Sequence, residues 1–187
     1  MKVLVTGALG QIGSELVGAL VDRYGKENVI ATDKKNGVPD FKCQFTHLDV
    51  LDKEAAEEIV SKNEITTIYH LAALLSAVAE EKPLLAWHVN MDGLRNILDI
   101  ARKYDCSVFT PSSIGAFGPT TPKNNTPQDT IQRPASMYGV TKVAGELLCD
   151  YYYNKFGVDT RGVRYPGIIS NKTLPGGGTT DYAAEIY

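Results

Sequence analysis

The chain has 187 residues, of which 43% are hydrophobic and 22% are charged, a composition typical of a folded globular domain. Its formal net charge of -3 and the absence of a basic run argue against nucleic acid or an anionic membrane surface as the main partner. No stretch approaches the roughly twenty apolar residues of a transmembrane helix, and the first predicted strand follows Met1 too closely for a signal peptide. We therefore expect a cytoplasmic protein.

The beginning of the chain predicts a strand at residues 2–6, a glycine-rich turn at 7–13 and then a helix. In such a turn Gly7 supplies an unusual backbone conformation, Gly10 lets a ligand approach the main chain, and Gly13 lets the helix pack closely on the strand. Asp33 follows twenty residues after Gly13, at the end of the next predicted strand. This arrangement is typical of a dinucleotide site, with pyrophosphate at the helix N-terminus and ribose on Asp33. The alternative is an ordinary turn with a surface aspartate.

The rest of the chain alternates strands with helices. Apolar patterns and turn residues predict further strands at residues 28–32, 43–48, 66–70, 107–111 and 159–164, and helices at 11–24, 53–62, 83–104 and 137–156. This alternation predicts an α/β fold, a doubly wound parallel sheet of the Rossmann type. A loop of over twenty residues before Pro134 is unusually long and therefore expected to be functional.

Ligands of such sheets bind beyond the carboxyl ends of the strands. Several short segments follow predicted strand ends and should converge there. These are the glycine-rich turn, Asp33, Asp49 and Val50, the small residues Leu71, Ala72 and Ala73, Ser112 and Ser113, and Tyr165 with Pro166. The cysteines and histidines, in contrast, are scattered without the spacing of metal ligands, so we predict reduced thiols and no metal site.

Tyr138 and Lys142 are four residues apart and therefore share one face of a predicted helix. A phenol with its ordinary pKa of about 10 is a poor base, but a neighbouring cation lowers that pKa. Ser113, at a strand end, could hold a substrate hydroxyl against the phenol. In isolation, an exposed tyrosine and lysine pair would be the better explanation. Combined with the glycine-rich turn and Ser113, a catalytic role is favoured.

Taken in order, these motifs resemble the extended short-chain dehydrogenase/reductase family. Those that carry the resemblance are Thr6-Gly7-x-x-Gly10-x-x-Gly13, Asp33, Asp49-Val50, His70 to Ala73, Asn90, Ser112-Ser113, Tyr138-x-x-x-Lys142 and Arg164-Tyr165-Pro166. Within that family, the strings at residues 111–119, 137–142, 164–170 and 178–183 look like the short-chain type of L-threonine 3-dehydrogenases.

The resemblance implies NAD-dependent oxidation of L-threonine at its 3-hydroxyl to 2-amino-3-oxobutanoate. Tyr138 would be the general base, Lys142 would lower the pKa of Tyr138 and bind ribose, and Ser113 would position the hydroxyl. The implied NAD contacts are Gly7, Gly10, Gln11, Ile12, Gly13, Asp33, Asp49, Val50, Leu71, Ala72, Ala73, Asn90, Tyr138, Lys142, Tyr165 and Pro166. The implied substrate contacts are Ser76, Ser112, Ser113, Tyr138, Thr179 and Thr180.

Three questions stay open at the level of sequence. The function could instead be that of a sugar-nucleotide epimerase or dehydratase, or of a non-catalytic NAD-binding regulator. Asp33 favours NAD over NADP, although the cations Lys34 and Lys35 could accommodate a 2′-phosphate. The family likeness implies a homodimer through the two long helices, but their apolar residues could equally be buried against the sheet. The apolar residues predicted to be exposed there are Trp87, Met91, Leu94, Leu147, Leu148 and Tyr151 to Tyr153.

Members of this family are roughly twice the length of a single domain. We therefore expect residues 1–170 to form the NAD-binding domain, with the catalytic residues, and residues 171–187 to begin a substrate-binding lobe whose remainder lies outside this chain.

Overall fold

The computed structural model describes residues 1–36 and 40–168. Eight strands lie in these ranges: β1 Val3–Thr6, β2 Val29–Asp33, β3 Gln44–His47, β4 Thr67–His70, β5 Ser107–Phe109, β6 Ser112–Ser113, β7 Thr160–Arg161 and β8 Arg164–Tyr165. Six α-helices accompany them: α1 Gln11–Tyr24, α2 Lys53–Lys62, α3 Ser76–Glu81, α4 Pro83–Trp87, α5 Gly93–Tyr104 and α6 Met137–Phe156.

Six of the strands form one parallel sheet in the order β3-β2-β1-β4-β5-β7. The first strand lies in the middle, with Val3 paired to Val29 on one side and to Thr67 on the other. Strand order reverses direction at β1, so the crevice beyond its carboxyl end lies at a topological switch point. The doubly wound parallel sheet predicted from the sequence is confirmed. A separate two-stranded parallel sheet joins β6 to β8.

The core has two parts because neighbouring residues of a strand face opposite sides of the sheet. Val3 and Val5 of β1 belong to one cluster, which also contains Val17 and Leu20 of α1. Leu4, between the two valines, belongs to the other cluster, which includes residues from α2, α5 and α6. Every residue of β1 is therefore buried. This explains why the strand reads as a continuous apolar run rather than as an alternating one.

Two predicted elements are interrupted in the structure. The helix predicted at residues 83–104 contains a π-helical segment, His88–Asp92, between α4 and α5. The strand predicted at residues 159–164 is divided into β7 and β8. The division falls at Gly162 and Val163, where a Cβ on Gly162 would lie 2.6 Å from the carbonyl oxygen of Thr110. The short helix α3 had no counterpart among the predicted elements.

The apolar residues of the two long helices are only partly exposed. Leu94 and Tyr152, expected on the surface, are buried with exposures of 4% and 7%, because both pack into the core cluster beneath α5 and α6. The prediction for these two residues was wrong. Met91 and Leu148 are half-buried, whereas the remaining four are exposed: Trp87, Leu147, Tyr151 and Tyr153.

Within residues 1–36 and 40–168, no helix is long and apolar enough to cross a membrane. The same residues contain no group of three or more histidine, cysteine, aspartate or glutamate side chains that could hold a metal ion. The three cysteines are free thiols.

Candidate active site

The glycine-rich turn lies against the loop that follows β4. Gly7 has a φ of 70°, in the left-handed region that favours glycine, and a Cβ there would lie 2.7 Å from the backbone nitrogen of Ala72. A Cβ on Gly13 would lie 2.4 Å from the carbonyl oxygen of Gly7, so α1 packs directly on the turn. These contacts explain why both positions require glycine. Leu71 lies in the same loop, with its N–H donated to the carbonyl of Thr6.

The surroundings of Gly10 are more open. A Cβ on Gly10 would meet only the carbonyl oxygen of Gly7, at 3.2 Å. Gly10 is also the N-cap of α1, and no side chain caps this end of the helix. The first N–H groups of an α-helix lack partners within the helix and carry partial positive charge. The following residues, Gln11 and Ile12, are half-buried. This end of α1 therefore fits the pyrophosphate of a dinucleotide.

Asp33 stands at the end of β2 and is buried, with 8% exposure. Its Oδ2 accepts a hydrogen bond from the N–H of Leu9, in the glycine-rich turn, at 2.9 Å. Its Oδ1 accepts one from the N–H of Lys35 at 2.8 Å. The carboxylate is therefore fixed beside the turn, and each oxygen retains a lone pair for a ribose hydroxyl.

Asp49 and Val50 follow β3. The Nζ of Lys34 lies 2.6 Å from Asp49 Oδ2. Burial alone would raise the pKa of Asp49, but hydrogen bonds from Lys34 and from the N–H of Leu51 outweigh it and lower the pKa. Lys34 is thus paired with a carboxylate. Val50 is buried beneath α5, and its carbonyl accepts a hydrogen bond from Asn96 at 3.1 Å.

Asn90 holds two parts of the site together. Its Oδ1 accepts a hydrogen bond from the N–H of Leu74 at 2.8 Å, and its Nδ2 donates to the carbonyl of Leu74 at 3.1 Å. The same Nδ2 lies 3.1 Å from the hydroxyl of Thr141 on α6. The side chain, predicted as a cofactor contact, is therefore engaged with the loop after β4 and with α6. Ala73 belongs to that loop and is half-buried.

His70 ends β4 and is buried. Its Nδ1 lies 2.9 Å from the hydroxyl of Thr6. Burial, together with the charge of Lys142, lowers the pKa of His70 to about 3. The ring is therefore neutral at neutral pH.

Tyr138 and Ser113 face the same point. A Cβ on Gly115 would lie 3.3 Å from both the Ser113 Oγ and the Tyr138 ring. Ser113 Oγ also accepts a hydrogen bond from the N–H of Gly115 at 3.0 Å, which fixes the hydroxyl. Tyr138 is the second residue of α6, whose N-cap Ser136 accepts a hydrogen bond from the N–H of Gly139. The structure thus brings together Ser113 and Tyr138, the two residues that the sequence analysis proposed to act on one substrate hydroxyl.

The pKa of Tyr138 differs from the prediction. Burial raises it, and a hydrogen bond with Ser113 offsets part of the rise. The prediction of a pKa lowered by Lys142 was wrong for this conformation, because the ammonium is directed elsewhere. Lys142 Nζ donates to the carbonyl of Pro111 at 2.8 Å and lies 5.4 Å from the centroid of the tyrosine ring. Burial lowers the pKa of Lys142 to about 8, while the charge of Glu146 acts in the opposite direction.

Ser112 faces away from its neighbour Ser113, as alternation along a strand requires. Its hydroxyl donates a hydrogen bond to Oε1 of Glu146 on α6. Ser112 was predicted to contact substrate together with Ser113. The structure shows a carboxylate as the partner of its hydroxyl.

Glu146 is a residue of this site that the sequence prediction missed. Its carboxylate also accepts hydrogen bonds from Arg164 Nη2, at 2.7 Å, and from Gln132 Nε2, at 3.0 Å. The signal was present, because Glu146 lies four residues beyond Lys142 and therefore on the same helical face. A cavity of about 30 Å³ between β4, the β6 region and α6 is lined by His70, Ser112, Lys142 and Glu146, among others.

The remaining predicted site residues are more loosely placed. Ser76 begins α3 and is half-buried. Tyr165 lies in β8 and pairs with Ser113, and Pro166 is exposed. Thr179, Thr180 and the predicted substrate-lobe segment 171–187 lie outside the described residues.

Comparison with known proteins agrees with this geometry. Residues 3–184 match the model of the NAD dependent epimerase/dehydratase family. The chain therefore belongs to this family, a group of extended short-chain dehydrogenases/reductases.

Its relatives define the resemblance further. An uncharacterized epimerase/dehydratase of Staphylococcus saprophyticus is 60% identical over 100% of this chain and 59% of the relative. The crystal structure of an L-threonine dehydrogenase from Clostridium difficile is 62% identical, with a TM-score of 0.95, over 99% of this chain and 59% of the other. A UDP-glucose 4-epimerase from Thermotoga maritima is 28% identical, with a TM-score of 0.81, over 88% and 55%. The chain thus spans about three fifths of the length of these proteins.

Proposed function

We propose that this protein oxidises L-threonine at its 3-hydroxyl with NAD, giving 2-amino-3-oxobutanoate and NADH. The observation that carries the proposal is the hydrogen bond between the side chains of Ser113 and Tyr138, which places the two hydroxyl groups together. The choice of L-threonine rests on similarity, since identity is 62% to an L-threonine dehydrogenase and 28% to a UDP-glucose epimerase.

The residues around the glycine-rich turn fit a dinucleotide. The N–H groups at the start of α1 would bind the pyrophosphate, and Asp33 would accept hydrogen bonds from the adenosine ribose. The bound NAD supplies an acceptor for the hydride that leaves C3 of the substrate. Asp33 would repel a 2′-phosphate, and the nearby cation Lys34 is paired with Asp49. We therefore propose NAD rather than NADP.

In this proposal Tyr138 accepts the proton of the 3-hydroxyl, and Ser113 holds that hydroxyl in place by a hydrogen bond. The raised pKa of Tyr138 means that its phenolate must be stabilised before it can act as a base. The ammonium of Lys142 lies 5.4 Å from the centroid of the Tyr138 ring but donates to the Pro111 carbonyl, so in this proposal it turns towards the phenolate to stabilise it by charge. Lys142 thus supports the base without itself exchanging the substrate proton.

A sugar-nucleotide epimerase or dehydratase is the second candidate. It is favoured by the family match and by the names of the curated relatives. Such an enzyme regenerates its cofactor within each cycle and releases no net NADH.

The test is the absorbance of NADH after the full-length protein is mixed with NAD and L-threonine. L-serine, which lacks the methyl group of threonine, and UDP-glucose are the matched controls. We expect NADH to accumulate only with L-threonine. Conversion of UDP-glucose without net NADH would favour the epimerase. NAD binding without turnover of any of the three substrates would contradict both enzymatic proposals.

Two further features of the whole protein are proposed. Residues 1–170 form the NAD-binding domain and residues 171–187 begin the substrate lobe of a cytoplasmic enzyme.

Two copies associate through the exposed apolar side chains of α4 and α6, in particular Trp87, Leu147 and Tyr151, with exposures of 42%, 62% and 53%. Analytical ultracentrifugation should give a dimer that Leu147→Glu converts to a monomer. A monomeric parent protein would contradict the second proposal.

A further inference from the structure

We propose that Glu146 is a positioning residue of this site, which fastens the strand presenting Ser113 and the long loop at residues 117–135 to the helix carrying Tyr138 and Lys142. The inference deepens the proposed function and rests on it for the roles of these three side chains. The described contacts of the carboxylate are with Ser112, Gln132 and Arg164, so it acts through these neighbours.

The first connection sets the rotation of β6. Ser112 and Ser113 form this two-residue strand and face opposite sides. The Ser112 hydroxyl is bound to Glu146, and its neighbour Ser113 is hydrogen-bonded to Tyr138, so both residues of the strand are attached to α6. A change at Glu146 therefore reaches the proposed substrate contact through a single strand residue.

The second connection holds the long loop. Arg164 binds the Glu146 carboxylate through Nε at 3.0 Å and Nη2 at 2.7 Å, while its Nη1 donates to the carbonyl of Gln128 at 2.8 Å. Gln132, further along the same loop, donates to Glu146 Oε2 at 3.0 Å. The Arg164 and Glu146 side chains are only 18% and 21% exposed. Forked, shielded contacts of this kind are stronger than a surface ion pair.

The third connection is electrostatic. Burial alone would raise the pKa of Glu146, but hydrogen bonds from Arg164, Ser112 and Gln132 outweigh it, so the carboxylate is charged at neutral pH. One helical turn away, burial lowers the pKa of Lys142, and Glu146 and then Cys149 oppose this shift. Within residues 1–36 and 40–168, His70, which is neutral, and the Tyr138 phenol also lie near Lys142. The charge of Glu146 therefore helps to keep the Lys142 ammonium protonated.

The test uses Glu146→Gln, which keeps the shape and removes the charge, in the full-length protein. The first measurement is the pH titration of Lys142, followed by NMR of labelled lysine side chains and assigned with Lys142→Met. We expect the Lys142 titration to move to lower pH in Glu146→Gln and to stay at its parent position in Ser112→Ala. Glu57→Gln is the matched control, because Glu57 also pairs with a lysine, Lys103, at a distance from the site.

The second measurement is hydrogen–deuterium exchange of the amides at residues 117–135. Losing the carboxylate should raise their exchange about tenfold, because Arg164 and Gln132 lose their common partner. Glu57→Gln should leave this exchange unchanged. An unchanged Lys142 titration or an unchanged exchange rate in Glu146→Gln overturns the proposal. If Glu146→Gln does not fold, Gln132→Ala removes one loop contact, and unchanged exchange in that variant overturns it equally.

Neither measurement requires a substrate. A parent protein that does not oxidise L-threonine would overturn the proposed function, while the titration and exchange data would still decide the role of Glu146.

Discussion

The two halves of the candidate site are held together in different ways. Around the glycine-rich turn, backbone lies against backbone, and a Cβ on Gly7 or Gly13 would come within 2.7 Å of main-chain atoms. Around α6, polar side chains make the connections, with Glu146 bound to Ser112, Gln132 and Arg164. We therefore expect added atoms to disrupt the half around the glycine-rich turn, and the removal of charges or hydrogen bonds to disrupt the half around α6.

The largest expected effect lies in the second half, where a single hydroxyl is removed. Tyr138→Phe should reduce turnover by about 100- to 10,000-fold, because the phenol is the proposed proton acceptor. NAD binding, measured by calorimetry, should be largely retained, since the glycine-rich turn is untouched. Tyr153→Phe, at the exposed end of the same helix, is the control. A Tyr138→Phe variant as active as the parent would exclude Tyr138 as the base.

In the first half, adding one carbon should be the damaging change. Gly13→Ala places a Cβ 2.4 Å from the Gly7 carbonyl oxygen and should lower the free energy of unfolding by about 1–3 kcal/mol, with weaker NAD binding. Gly18→Ala, on the open side of the same helix, has nothing within 4 Å and should instead raise stability by about 0.5–1 kcal/mol. Urea denaturation compares the two. Equal stability would contradict the close packing of α1 on the turn.

His70 joins the two halves and predicts an acid-sensitive fold. Its pKa falls from 6.5 to about 3 on folding, so below pH 6.5 the unfolded chain binds a proton that the folded chain does not. Stability should thus be lost as pH falls from about 6.5 towards about 3, by at most about 1.4 kcal/mol per pH unit. His70→Asn should make this slope shallower, whereas His88→Asn, at an exposed histidine, should not. Urea denaturation at several pH values measures the slopes. Identical slopes in His70→Asn and the parent would show that His70 is not the source of the acid sensitivity.

The smallest effect concerns the choice of cofactor. Asp33→Asn removes the negative charge that would repel a 2′-phosphate but keeps an oxygen to accept the Leu9 N–H. The ratio of NAD to NADP affinity should fall about tenfold, as expected for one charge-assisted hydrogen bond. Asp22→Asn, on the exposed face of α1, is the control. If the ratio does not change in Asp33→Asn, the carboxylate does not select the ribose.

The sequence predicted the glycine-rich half more completely than the catalytic half. Gly7 and Gly13 must lack a Cβ for local steric reasons, and the spacing of the glycines in the sequence shows these positions directly. Asp33 was also placed correctly, at the end of the second strand. In the half around α6, the sequence analysis placed Tyr138 on a helix and Ser113 at a strand end, and the structure brings these two side chains together. Ser112 was assigned to the substrate because sequence adjacency to Ser113 says nothing about which side chain has a partner behind the strand.

By itself, the sequence determined the order of strands and helices, the parallel sheet and the family. The signals for these features are the spacing of apolar residues and of glycines, which are patterns among residues close together in the chain. Only the tertiary structure decided how Glu146 is used. Its partners lie 34 residues before it, at Ser112, and 18 after it, at Arg164. It also decided that burial raises the pKa of Tyr138 and that Leu94 and Tyr152 are inside. The burial and the pKa of a side chain depend on every element that packs around it, and a local sequence pattern does not include those distant elements.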